Sequence, residues 1–168
     1  MNQAEVSEVS ERSDNLTPEQ RHRCMSRVRT KNTLPEIRLR TALHNRGARF
    51  RNHMAGLPGR PDIVFTRAKL AVFVDGDFWH GRELHAWAHQ LSPFWRAKIA
   101  RNITRDEQNT ADLQDLGWAV LRVWEYEIEK DVHATADEVI RLYRNRLEAL
   151  TRSQTNQRLR QELPGPSL

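Results

Sequence analysis

The sequence predicts an α/β fold in which a mixed central sheet is flanked by helices. Helix-start signals precede long amphipathic segments, and short extended runs lie between these segments. Residues 70–74 form a continuous apolar run, which is typical of a strand buried on both faces. The order of helices, several strands, a helix, a strand and a final helix therefore indicates one sheet covered by helices.

The first two helices are predicted from capping boxes, in which a Thr and a Gln or Glu three residues later satisfy each other's backbone amides. Residues 17–20 open a helix that we expect to end near Arg29, and residues 33–36 open the second helix. Gly47 is expected to end the second helix. Four apolar residues of this helix are predicted to face the core: Ile37, Leu39, Ala42 and Leu43.

Four extended runs are predicted as strands: residues 48–53, 63–65, 70–74 and 118–123. Residues 77–90 are predicted to form a loop rich in aromatic residues and histidine. Ser92 is expected to open a helix that ends near Leu116, and Thr135 with Glu138 to open the last helix.

Composition predicts a single soluble domain over residues 17–150, flanked by disordered tails at 1–16 and 151–168. No apolar run approaches the roughly 20 residues that cross a bilayer, and the polar N-terminus lacks a signal-peptide core. The single cysteine, Cys24, excludes an internal disulfide and a multi-thiolate zinc site. We therefore expect a monomer in a reducing cytoplasm, associated with the nucleoid if it binds DNA.

The positive charge is concentrated in one part of the chain. The formal net charge is +5, although residues 1–16 carry four acidic residues and one arginine. Residues 21–51 contain ten Lys or Arg residues and one acidic residue, Glu36. Such a segment favours a polyanionic partner, with nucleic acid as the usual one. A solvated basic surface without a partner is the alternative.

Phosphodiester hydrolysis needs carboxylates that hold divalent cations, together with a group that activates water. The candidate residues for this chemistry are Glu36, Asp62, Asp75, Asp77 and His80. Asp62 begins one predicted strand and Val74 ends its neighbour, so both can approach one cation if the two strands pair about 4.8 Å apart. A Pro-Asp pair, a hairpin and a preceding helix with Glu indicate a restriction-endonuclease-like fold, although its usual Glu-x-Lys is absent at residues 74–76.

Several segments in order closely resemble the very short patch repair endonucleases. They are residues 57–65 (LPGRPDIVF), residues 72–81 (VFVDGDFWHG), Trp95, Lys98, Ile99, Asn102, Arg105, Asp106, residues 117–125 and matching positions within residues 25–36. The resemblance covers residues 18–150. It implies a magnesium-dependent endonuclease that nicks the T-containing strand of a T:G mismatch left by deaminated 5-methylcytosine. Its partner is then mismatched double-stranded DNA, and any repair-protein partners stay open.

The resemblance also implies a role for each matching residue. Asp62 is expected to be the principal metal ligand, with the backbone carbonyl of Val74 completing the metal site. His80 is expected to be the general base, assisted by Glu36. For Glu36 alone, the alternative is a purely structural role as the third residue of its capping box. Asp75 and Asp77 are either metal ligands or strand-end acids.

The DNA contacts are likewise carried over from the resemblance. Met25 matches a residue that wedges into the base stack, although a core position is the alternative. Phe78, Trp79 and Trp95 match an aromatic platform that enters from the opposite side. Lys98 and Asn102 fall where the family contacts the mismatch.

One departure concerns the structural zinc that the family usually carries. Only the aspartate ligand matches, as Asp106, whereas the other positions hold Arg82, Leu84 and Tyr126. We therefore expect no structural zinc. Our hypothesis is that Arg82 pairs with Asp106 and that Tyr126 packs beside them.

Two other functions remain open. The first is a related nuclease that cuts a fixed DNA sequence without a mismatch. The second is a non-catalytic DNA-binding module built from the basic helices and the aromatic residues.

Overall fold

A four-stranded mixed sheet forms the centre of the computed structural model, which describes residues 17–27 and 31–162. The strands are β1 (Arg51–Asn52), β2 (Ile63–Phe65), β3 (Leu70–Asp75) and β4 (Ala119–Trp124), and they lie in that order across the sheet. The first two pairings are antiparallel and the pairing of β3 with β4 is parallel. The predicted mixed α/β fold is therefore confirmed.

Within the described part of the chain, five α-helices accompany the sheet: α1 (Pro18–Arg27), α2 (Leu34–Asn45), α3 (Leu84–Trp87), α4 (Pro93–Asp115) and α5 (Glu125–Glu162). The predicted strand over 48–53 is reduced to two residues, and the predicted loop over 77–90 contains α3 and a short 3-10 turn. Among the described residues, no helix is both long enough and apolar enough to cross a membrane.

Alternating side chains of β3 enter two different apolar clusters, because successive side chains of a strand point to opposite faces. Leu70 and Val72 pack with residues of α2 and α5, whereas Ala71 and Phe73 pack with Leu113 of α4. This strand is therefore buried on both faces, as its apolar run predicts. The two layers of helices bring α2 and α4 towards the same sheet from opposite sides.

The second capping box is present as predicted. The Thr33 side chain accepts from the Glu36 amide, and the Glu36 carboxylate accepts from the Thr33 amide. The prediction that Ile37 faces the core is wrong, since this side chain is 45% exposed. At 100° per residue, Ile37 lies two positions and about 200° from Leu39, on the side of the helix that carries the exposed Thr41.

The last helix differs from its prediction at both ends. It begins at Glu125, and a non-helical residue, Asp131, interrupts it. The Asp131 carboxylate accepts from the amides of His133 and Ala134, so Asp131 rather than Thr135 caps the second part.

Helix α5 also continues to Glu162, so the expectation that residues 151–162 are disordered is wrong. That segment contains no glycine or proline and has several good helix formers, which extend an existing helix without a new nucleus. The predicted disorder of residues 1–16 and 163–168 lies outside the described residues.

Candidate active site

Asp62 lies directly before β2, beside the last residues of β3. The Val74 amide donates to Asp62 Oδ2 at 2.8 Å, as expected for the register in which Ile63 lies opposite Val72. The other oxygen, Oδ1, faces His53 Nδ1 at 3.4 Å. The hairpin therefore fixes Asp62 beside the end of β3, and it places Val74 next to this carboxylate as the sequence predicts.

Glu36 approaches the same carboxylate from α2. Its side chain is nearly fully buried, and Oε2 lies 3.0 Å from the Asn32 amide, 3.7 Å from Arg40 Nη2 and 3.4 Å from His53 Nε2. The capping role of Glu36 is thus real, and it coexists with a position in the acidic site.

His53 completes a group of three potential metal ligands that sequence reasoning missed. Glu36, His53 and Asp62 each offer a ligand atom, and these atoms all lie within 4.8 Å of one another. The hairpin register holds the signal that could have found it: Asn52 lies opposite Ile63, so His53 lies opposite Asp62. Its amide donates to the Asp62 carbonyl at 3.4 Å.

The electrostatics of this group favour a bound cation. The pKa of Asp62 is raised to about 7, chiefly by burial; Glu36 and Asp75 contribute to the rise, whereas the Val74 hydrogen bond opposes it. Burial lowers the pKa of His53, against the opposing effect of Glu36. Carboxylate oxygens and a neutral imidazole are the donors that divalent metal ions accept. His53 Nε2 is also buried with no hydrogen-bond partner among the described residues, so this donor set fits a divalent cation.

His80 belongs to a second, neighbouring polar group. Its Nδ1 lies 2.5 Å from Asp106 Oδ2 on α4 and 3.5 Å from Asp75 Oδ1 at the end of β3. Burial raises the pKa of Asp106, but the hydrogen bond from His80 and the charges of His80 and Arg122 outweigh it and lower the pKa overall. Asp106 is therefore an ionised acceptor, and Nδ1 of His80 carries the proton that it accepts.

Arg122 on β4 holds the two acids of this second group. It donates to both oxygens of Asp75, at 2.5 and 2.9 Å, and its Nη2 lies 3.5 Å from Asp106 Oδ2. Asp75 is buried and neutralised by this pair, which favours its interpretation as a strand-end acid. Asp77 is partly exposed, and its Oδ1 lies 3.9 Å from Arg82 Nη1.

Gly81 allows the His80 turn to approach α4 closely. Its φ is +71°, in the region that favours glycine, and a Cβ at this position would lie 2.7 Å from Ile103 Cδ1. A larger residue would push the turn away from α4, which carries Asp106.

The three predicted platform residues form one aromatic cluster beside His80. Phe78 and Trp79 have ring centroids 4.9 Å apart, and Trp95 lies 5.8 Å from Trp79. Trp87 was not among the predicted platform residues, and it stacks on Phe78 with ring centroids 5.6 Å apart and an interplanar angle of 20°. Its position in the aromatic-rich loop is the signal that could have found it. Phe78 is 40% exposed, so the cluster has an open edge.

The remaining predicted DNA contacts lie on two helices. Asn102 on α4 donates from its side chain to the Trp79 carbonyl at 2.9 Å, and thus ties the aromatic turn to this helix. Lys98 lies one turn earlier on α4 and is half-buried. Met25 lies on α1, but its side chain falls outside the described part of the structure.

The predicted pairing of Arg82 with Asp106 is wrong. Among the described residues, the acids near Arg82 are Asp77 and Glu83, both at 3.9 Å, whereas Asp106 is already engaged by His80, Arg105 and Arg122. Arg82 does lie over the Tyr126 ring, 4.3 Å from its centroid. Two of the residues at the family's zinc positions therefore contact each other through a cation–π interaction.

Comparison with known proteins identifies the family of this chain. A family described as DNA mismatch endonuclease Vsr matches residues 13–86. The type II nicking enzyme V.NmeDIP of Neisseria meningitidis serogroup C is 40% identical over 148 residues, which cover 86% of this chain and 99% of that enzyme. The type II nicking enzyme V.XorIIP of Xanthomonas oryzae is 44% identical over 118 residues, covering 69% of this chain and 87% of that enzyme.

The DNA mismatch endonuclease Vsr of Escherichia coli is 38% identical over 107 residues, covering 62% of this chain and 69% of that protein. These relatives are named as enzymes that cut or nick DNA, and they align with most of the domain described above. The chain belongs to the Vsr family of DNA endonucleases.

Proposed function

We propose that this endonuclease uses Mg²⁺ to nick the T-containing strand of T:G mismatches that arise from deaminated 5-methylcytosine. The observation that carries the proposal is that the end of β3 joins three features. Val74 binds Asp62, the next residues lead to Phe78 and Trp79, and His80 follows them directly. A metal site, an acid–base group and an aromatic edge therefore meet within one short segment.

Asp62 and the Val74 carbonyl are the groups that we assign to hold Mg²⁺, with Glu36 assisting from α2. The bound ion would supply positive charge for the scissile phosphate and lower the pKa of water. The raised pKa of Asp62 supports this assignment, because a desolvated carboxylate beside other acids gains most from a cation.

His80 is the group that we assign to accept a proton from the attacking water. Its Nδ1 proton is held by Asp106, which leaves Nε2 as the basic nitrogen. The same hydrogen bond fixes the orientation of the ring. In other hydrolases, too, a carboxylate bound to Nδ1 orients a histidine that acts as general base through Nε2.

The aromatic cluster is the feature that we assign to mismatch recognition. Stacking of one base on an aromatic side chain contributes about 1–3 kcal/mol, which helps to offset unstacking of a base step. A mismatched pair is easier to unstack than a matched pair, so a wedge discriminates between them. Met25, Phe78, Trp79 and Trp95 would unstack the bases, while Lys98 and Asn102 contact the mismatch. The basic segment at residues 21–51 supports affinity for the phosphate backbone.

A second candidate is nicking at a fixed sequence without a mismatch. The names of the relatives favour it, since V.NmeDIP and V.XorIIP are both named type II nicking enzymes. In either case we propose that the protein acts as a monomer on DNA in the bacterial cytoplasm.

The deciding experiment compares nicking of a T:G duplex with matched T:A and C:G duplexes of the same flanking sequence. Each duplex should be supplied as a pool with the same set of randomised flanks, so that the comparison does not depend on one chosen flanking sequence. We expect Mg²⁺-dependent nicking of the T strand that EDTA abolishes and that Asp62→Asn lacks. Equal nicking of matched and mismatched duplexes would favour the second candidate.

A further inference from the structure

His53 is a partly buried side chain to which the proposed reaction assigns no role. Its imidazole lies between two carboxylates, with Nδ1 at 3.4 Å from Asp62 Oδ1 and Nε2 at 3.4 Å from Glu36 Oε2. The side chain is 16% exposed, and Asp62 is exposed to the same extent. Three chain segments therefore bring three potential ligands to one point: α2, the end of β1 and the start of β2.

The Nε2 atom of His53 has no hydrogen-bond partner among the described residues, although it is buried. The nearest Glu36 oxygen lies 3.4 Å away, but the two atoms form no hydrogen bond. Buried polar atoms in folded proteins are nearly always satisfied by a protein group, water or an ion. An unsatisfied nitrogen that faces carboxylate oxygens is therefore an indication of a missing cationic partner.

The backbone at His53 also requires an explanation. Its φ is +45°, in the left-handed region that a residue with a Cβ rarely adopts. The amide of the same residue donates to the Asp62 carbonyl, which holds the turn in register with β2. The strained turn directs the imidazole between the two acids instead of towards solvent.

We propose that His53 is a third protein ligand of the Asp62 metal site, so that this site binds first-row divalent transition-metal ions through a nitrogen donor. The inference rests on the proposed function, which places a divalent cation at Asp62. Mg²⁺ takes oxygen ligands and gains little from imidazole, whereas ions from Mn²⁺ onwards in the Irving–Williams series accept it. The site should therefore bind Mn²⁺ more tightly than Mg²⁺, and His53 should be the cause.

The test measures Mn²⁺ binding to the full-length protein without DNA. Electron spin echo spectroscopy of bound Mn²⁺ should detect a histidine nitrogen in the wild-type protein. The nitrogen signal should disappear in His53→Gln, and Mn²⁺ affinity should fall at least about tenfold, since even outer-shell changes cost 10–100-fold in metal affinity. Mg²⁺ affinity should change by less than the Mn²⁺ affinity.

Two other variants serve as controls. His133→Gln removes an exposed imidazole on α5 and should retain both the nitrogen signal and the affinity. His80→Ala removes the neighbouring imidazole and should also retain the signal, because His80 pairs with Asp106 and lies outside the group formed by Glu36, His53 and Asp62. Circular dichroism and thermal unfolding should show that each variant folds. If His53→Gln does not fold, His53→Asn takes its place.

A nitrogen signal that persists in His53→Gln, or equal losses of Mn²⁺ and Mg²⁺ affinity, would overturn the inference. The proposed function fails differently, through the absence of metal-dependent nicking of a T:G duplex or through normal nicking by Asp62→Asn. A protein that nicks mismatches but shows no histidine nitrogen at bound Mn²⁺ would keep the proposed function and lose only this ligand.

Discussion

Asp106 on α4 accepts the Nδ1 proton of His80 at 2.5 Å, and it is the same residue that matches the one retained zinc ligand of the family. Its carboxylate is held in turn by Arg122 and Arg105. Asp106 matches a ligand of the family's structural zinc, but in this chain its carboxylate holds the imidazole ring of His80, the proposed general base. In this chain, Asp106 is a positioning residue for His80 under the proposed function.

The first prediction concerns this pair. Asp106→Asn should slow the chemical step by about 10²–10⁴, the usual contribution of a positioned acid–base group, because the ring loses its orientation and its tautomer. His80→Ala should cause a similar loss, and the double variant should lose little more, since the two residues act as a unit. Single-turnover nicking rates measure all three.

Asp115→Asn is the matched control for this prediction, since Asp115 is exposed near the end of the same helix. It should nick at the wild-type rate. Additive losses in the double variant would contradict the assignment of Asp106 to His80, and a change in DNA affinity alone would make His80 a DNA contact.

The second prediction concerns the metal ligand. Asp62→Ala should abolish nicking while leaving binding to T:G duplexes largely intact, because affinity comes chiefly from phosphate contacts. Gel-shift titration in the presence of EDTA and a nicking assay with Mg²⁺ measure the two properties separately. Normal nicking by this variant would refute the metal assignment.

The third prediction concerns the stability of the metal-free protein. The pKa of Asp62 is about 7 in the folded protein, against about 3.9 for an unperturbed aspartate, so the folded state binds the proton more tightly. The stabilisation that this provides is complete below about pH 4 and is lost as the pH rises through 7. With EDTA present, this contribution falls by an amount on the order of a few kcal/mol over that range.

Asp62→Asn should remove most of this dependence, because the amide does not titrate. Urea unfolding at pH 5 and pH 8 of the wild-type protein and of the variant measures the difference. Identical pH dependence in both proteins would show that Asp62 is not the group responsible.

The fourth prediction concerns the aromatic cluster. Trp79→Ala should lower the ratio of T:G nicking to matched-duplex nicking, because the wedge exploits the lower cost of unstacking a mismatch. Trp118→Phe is the control, since Trp118 packs against the apolar cluster of Leu113 on the sheet. An unchanged ratio in Trp79→Ala would exclude a role for this ring in discrimination.

The fifth prediction concerns the zinc positions. Elemental analysis of the purified protein should find no stoichiometric zinc at Asp106, because Arg82, Leu84 and Tyr126 are not zinc ligands of the usual kinds. Arg82→Ala should lower the free energy of unfolding by about 0.5–2 kcal/mol through loss of the contact with the Tyr126 ring. Stoichiometric bound zinc would contradict the first half of this prediction. Equal stability of Arg82→Ala and the wild-type protein would contradict the second half.

Local patterns in the chain were sufficient for much of the framework. A capping box is a contact between residues three apart, so the position of Glu36 at the start of α2 follows from residues 33–36 alone. The apolar run at 70–74 requires burial on both faces, and the pairing of neighbouring strands brings Asp62 beside Val74. The resemblance around residues 57–65 and 72–81 adds the family, which the comparisons confirm.

Only the tertiary structure decided which partner each charged group takes. His53, directly after β1, lies 3.4 Å from Glu36 on α2, and Asp106 on α4 binds His80 and Arg122 rather than Arg82. These contacts join residues 16 to 26 positions apart, and no local periodicity specifies them. Burial then sets their chemistry: the pKa of Asp62 rises only because packing removes water from a carboxylate that the sequence shows as an ordinary acid after a proline.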